Sequence, residues 1–168
     1  MVLDYLKYFA IAILLFVVQV TFISHISLDM ITPDIPILLI IYLSLYRGQF
    51  FGMIIGFLYG VFIDVFAGSF LGLYALTYTI AAFVTGYFYD ENRTRETLQS
   101  YFFIFIMFIS IFISNLIYFI IFIQGISEVN SDLLLAKYCL GSTVYTLLFG
   151  ILFMFILSII KDNKIRGI

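Results

Sequence analysis

The sequence contains little charge and few of the residues that build catalytic or metal centres. Only 11% of its 168 residues are charged, there is one cysteine and one histidine, and tryptophan is absent. Cys139 has no second thiol for an intrachain disulfide or a metal site, and His25 has no neighbouring Cys or second His. We therefore predict no metal and no cofactor, and we expect Cys139 to be a packing residue.

Basic residues are also too few to form a nucleic-acid surface. The sequence has eight Lys and Arg residues and ten Asp and Glu residues, which gives a net charge of −2. Nucleic-acid affinity depends mainly on a clustered basic field that neutralises phosphates, so nucleic acid is excluded as a partner. The sequence also lacks a Ser-His-Asp set and a glycine-rich phosphate loop, so we expect that the protein is not an enzyme.

Apolar residues are present in excess. They make up 64% of the chain, which leaves too little polar surface for a fold in water. In lipid every backbone amide needs an internal partner, which only helices or a closed barrel provide, and the long apolar runs lack a barrel's alternation. We predict an all-α membrane helical bundle that forms one integral membrane domain over residues 1–168.

Six apolar runs predict about six transmembrane helices. The runs comprise residues 8–23, 35–46, 50–66, 71–89, 101–123 and 133–160. The second run would form only about 18 Å of helix against a hydrocarbon core of about 30 Å, so a re-entrant segment is the alternative.

The distribution of Lys and Arg favours six spans, because cytoplasmic loops collect these residues. With six spans only Lys137 lies towards the outside, whereas a re-entrant second run would place Arg47, Arg93 and Arg95 on the outer side of the membrane. We therefore predict that both termini are cytoplasmic. The residues placed inside are Lys7, Arg47, Arg93, Arg95, Lys161, Lys164 and Arg166.

The second run opens with a helix-start motif. Pro33 and Pro36 flank Asp34, whose side chain can cap a helix, and proline in the first turn loses no needed hydrogen bond. We predict that the second helix begins at this motif of Pro33 and Asp34.

Glycines recur at every fourth position in and around the third run. Gly48, Gly52, Gly56 and Gly60 follow this spacing, and Asp64 occupies the next step. Residues four apart form one ridge on a helix, so these glycines, which we call the glycine row, predict a groove for a closely packed backbone. The groove could dock a helix of a partner protein or pack the bundle internally, and internal packing is the commoner use in multi-span proteins.

Asp64 is an ionisable residue inside a predicted span, and such residues mark functional or pairing sites. It lies about 24 Å along the helix from Gly48, near the outer edge of the hydrocarbon, so a solvated helix end and a buried partner both remain open. Lys137 is expected near the same face, which makes Asp64 and Lys137 a candidate ion pair.

These features resemble the MreD family of the bacterial rod-shape machinery. The resemblance covers nearly the full length and rests on the helix-start motif, the glycine row with Asp64, and the Leu71-Gly72-Leu73 start of the fourth run. It implies a non-catalytic scaffold in the bacterial cytoplasmic membrane that binds MreC and helps connect MreB filaments to peptidoglycan synthesis. It also implies association with the RodA glycosyltransferase and its partner penicillin-binding protein.

A second family has a similar length and layout. The substrate-binding subunits of energy-coupling-factor vitamin transporters also have six helices, but they commonly carry an alanine-xxx-alanine ridge on the first helix. Here Ala10 and Ala12 are two residues apart. This departure counts against the transporter, which remains the alternative.

Overall fold

The chain is helical throughout most of the part that its computed structural model describes. That part comprises residues 13–14, 16–19, 21, 31–67, 70–124 and 136–166. Helix α1 is seen at residues 13–14, 16–19 and 21. The later helices are α2 (Ile35–Arg47), α3 (Gln49–Ala67), α4 (Leu73–Gly86), α5 (Thr94–Gln99), α6 (Tyr101–Gln124) and α7 (Gly141–Arg166).

The predicted all-helical class is confirmed for these described residues, with three local differences. The fourth run is helical only from Leu73 to Gly86, because Leu71 and Gly72 form a turn. The short helix α5 was not predicted, since six residues are too few to show a helical period. The last run enters α7 through a π-helical turn, Ala136–Leu140.

Two helices are long and apolar enough to cross a bilayer alone, within the described ranges. They contain the stretches Gln49–Phe66 and Tyr101–Ile121, whereas Ile35–Arg47, Leu73–Gly86 and Tyr138–Leu152 are apolar but shorter. The arrangement as six spans with cytoplasmic termini therefore stays a prediction.

Local signals explain where α2 begins and ends. Asp34 is its N-cap, with a carboxylate oxygen accepting a hydrogen bond of 3.4 Å from the Ile37 N–H, and Pro36 lies in the first turn. The helix stops at Gly48, whose φ of 98° few other residues adopt, and α3 starts at the next residue.

The exterior of the bundle is apolar, and several small hydroxyl side chains are buried inside it. Ser44, Thr85 and Ser110 are fully buried, while Phe50 and Leu71 are 77% and 80% exposed. Buried hydroxyls and an aromatic, aliphatic exterior are what a lipid environment selects. The protein is a membrane protein.

The bundle is centred on α3 and α4, which pack against each other most extensively. Helix α2 contacts both of them, and α6 joins α4 to α7. The core between these helices is built mainly of large apolar side chains from α2, α4 and α6, such as Ile40, Ile41, Tyr78, Phe103 and Ile106.

Candidate functional site

The helical part of the glycine row faces other helices of the same chain. A Cβ on Gly52 would collide with Ser44 of α2, and one on Gly60 would collide with the backbone of Ala75 in α4. At Gly56 the nearest atom would be the Tyr78 carbonyl oxygen of α4, at 2.8 Å. The groove that these three glycines form is thus occupied by α2 and α4.

Gly48 differs from the other members of the glycine row. It lies between α2 and α3 rather than on a helix face, and its N–H donates to the Ser44 carbonyl at 3.1 Å. A Cβ there would only touch the Tyr89 ring, at 3.5 Å. Glycine is required at this position by the backbone angle and not by close helix packing.

Asp64 is buried, with 1% of its surface exposed. Its carboxylate accepts hydrogen bonds from the backbone N–H groups of Gly72, Tyr74 and Ala75, at 2.9, 3.0 and 3.2 Å. These are amides of the first turn of α4 and its N-cap residue, which has no capping side chain of its own because it is Gly72. Asp64 therefore caps the start of the neighbouring helix α4.

The candidate ion pair of Asp64 and Lys137 stays a prediction. Lys137 lies within the π-helical turn, but its side chain is outside the described part of the structure. The three backbone donors account for the burial of the Asp64 carboxylate without requiring a cation.

The helix-start motif forms a junction between α1 and α2. Pro33 is buried, and its carbonyl accepts a hydrogen bond of 2.9 Å from the Gln19 side chain of α1. The same Gln19 amide accepts a bond of 3.2 Å from the Ile35 N–H. One side-chain amide thus pairs with the peptide groups on both sides of Asp34.

Two further helices reach the same motif through Asp34. Its N–H donates to the Thr146 hydroxyl of α7 at 3.0 Å. The Tyr78 hydroxyl of α4 donates to its carboxylate, lying 2.7 and 2.9 Å from the two oxygens. We call this convergence of α1, α2, α4 and α7 the Asp34 junction.

Aromatic rings connect the Asp34 junction with the Asp64 cap. The ring of Tyr78 contacts Tyr59 of α3 and Tyr74 of α4, with centroids 6.4 and 5.6 Å apart. The backbone N–H of Tyr74 also donates a hydrogen bond to the Asp64 carboxylate. The two carboxylates are therefore joined by a short chain of tyrosines.

Sequence reasoning missed Tyr78, Gln19 and Thr146 as members of this junction. Each is a polar residue in an apolar run, and nothing in the sequence distinguishes Tyr78 from the tyrosine and threonines near it. Their spacing in the chain carries no signal, because the partners are 14 to 112 residues apart.

Other hydrogen bonds between helices use small hydroxyls and amides. Ser44 donates to the Ala82 carbonyl at 2.6 Å, and Thr85 and Ser110 lie 2.7 Å apart between α4 and α6. Asn115 of α6 donates to Thr143 of α7 at 3.0 Å. Within the described ranges, every buried side-chain nitrogen and oxygen has a hydrogen-bond partner, so these groups join helices.

The described residues contain no group of three His, Cys, Asp or Glu side chains that could hold a metal. Cys139 is buried, and its thiol donates to the Asn115 carbonyl at 3.5 Å. The arrangement of capping, bridging and satisfied polar groups can fix helix positions.

Comparison with known proteins places this chain in a family. No curated protein and no solved structure matched the chain. The family model of the rod shape-determining protein MreD matches residues 2–160, which is nearly the full length of 168 residues. The chain belongs to the MreD family, a membrane-protein family of rod-shape determination.

Proposed function

We propose that this chain is a non-catalytic, multi-pass scaffold in the bacterial cytoplasmic membrane. In this proposal it binds MreC and helps couple MreB filaments to peptidoglycan synthesis. The observation that carries the proposal is membership of the MreD family over residues 2–160. RodA and its partner penicillin-binding protein are further proposed members of the assembly.

The internal hydrogen bonding supports a role by placement. Helix α3 packs closely against α2 and α4 along the glycine row, and Asp64 of α3 caps α4. The buried side-chain nitrogen and oxygen atoms of the described residues all have hydrogen-bond partners. A scaffold needs a fixed shape more than it needs reactive groups. The apolar exterior leaves lipid and the helices of partner proteins as the surroundings of the bundle.

We propose six spans with both termini in the cytoplasm. The distribution of Lys and Arg supports this topology, with Arg47 and Arg93 exposed near the helix ends that it assigns to the inside. Single-cysteine labelling of intact cells, in a Cys139→Ser background, would test it. Labelling of a cysteine at Arg93 by a reagent that does not cross membranes would contradict the topology.

The partner test uses the full chain, solubilised gently from cells and captured by a tag. Recovery of a bitopic coiled-coil protein is expected, and its identity as MreC can be established by mass spectrometry. Recovery of paired ATPases, or of a bound vitamin, would instead support the alternative of a transporter substrate-binding subunit. That alternative needs convergent polar groups for a ligand, and the buried polar atoms described here are already paired.

The role of the glycine row is tested separately with Gly56→Leu. Loss of the partner while the bundle keeps its melting temperature would support docking at the row. Loss of the folded bundle would support internal packing, which agrees with the 2.8 Å approach to the Tyr78 carbonyl. Leu58→Ile, on the exposed face of the same helix, is the matched control.

A further inference from the structure

We draw no further inference here: the strongest candidate, the exposed aromatic surface that Tyr87, Phe102 and Phe105 form near the contact of α4 with α6, is an apolar face, and nothing in the structure shows whether acyl chains or a partner helix covers it.

Discussion

Gly60 of α3 lies directly against the backbone of Ala75 in α4, so close that a Cβ at residue 60 would overlap the Ala75 backbone nitrogen and Cα. Four residues further along α3, the Asp64 carboxylate accepts a hydrogen bond of 3.2 Å from the N–H of the same Ala75. The close approach and the cap thus act on one turn of α4. Removing either should disturb the other.

Gly60→Ile should destabilise the bundle strongly. The new side chain meets backbone atoms that cannot rotate away, and overpacking of this kind costs about 1–3 kcal/mol or more. We expect a lower melting temperature in detergent and weaker partner recovery than for Phe62→Leu, which changes a partly exposed ring. Equal melting temperatures for the two variants would show that α3 and α4 can move apart without loss of stability.

Asp64→Ala should fray the start of α4. It removes the acceptor for three backbone amides, and loss of an N-cap typically costs about 0.5–2 kcal/mol. Hydrogen exchange is expected to increase at residues 72–75 while α6 remains protected. Asp64→Asn retains one acceptor oxygen, so its exchange rates at these residues should lie between those of the wild type and those of Asp64→Ala. Exchange rates in Asp64→Ala identical to those of the wild type would contradict the capping role.

The hydroxyls of Thr85 and Ser110, 2.7 Å apart, should be energetically coupled. Polar pairs between membrane helices are worth about 0.6 kcal/mol on average and up to about 1.7 kcal/mol. A double-mutant cycle with Thr85→Val and Ser110→Ala, measured by reversible unfolding in mixed micelles, should yield a coupling energy in that range. The same cycle between Ser44→Ala and Ser110→Ala provides the control and should be additive.

Gly48 and Gly72 should respond differently to asparagine. Gly72 has φ 96° and ψ −7°, close to the left-handed region that asparagine tolerates, and there is open space around a Cβ. Gly48 has φ 98° and ψ 162°, a region adopted almost only by glycine. Thermal melts should show a loss of about 1–3 kcal/mol for Gly48→Asn and a smaller loss for Gly72→Asn. The reverse order would mean that the α2–α3 connection can relax.

The apolar content and long runs of the sequence determined the class of this protein. With 64% hydrophobic residues and so little charge, only a helical membrane bundle satisfies the backbone, and most helix bounds followed from where the runs stop. Asp34 and Pro36 also determined the start of α2, because capping and proline act over three or four residues of chain. Short-range physics of this kind can be recognised in a linear sequence.

Only the tertiary structure decided what the buried polar groups do. The four-residue spacing predicted that the glycine row is a packing surface but could not specify that α2 and α4 occupy it, nor that Gly48 lies outside it. Asp64 caps an adjacent helix, and Asp34 meets Tyr78, because folding brings together residues whose separation in the chain carries no pattern. Sequence periodicity shows which face of a helix is suited to close packing. The helix that packs against that face depends on how the helices cross.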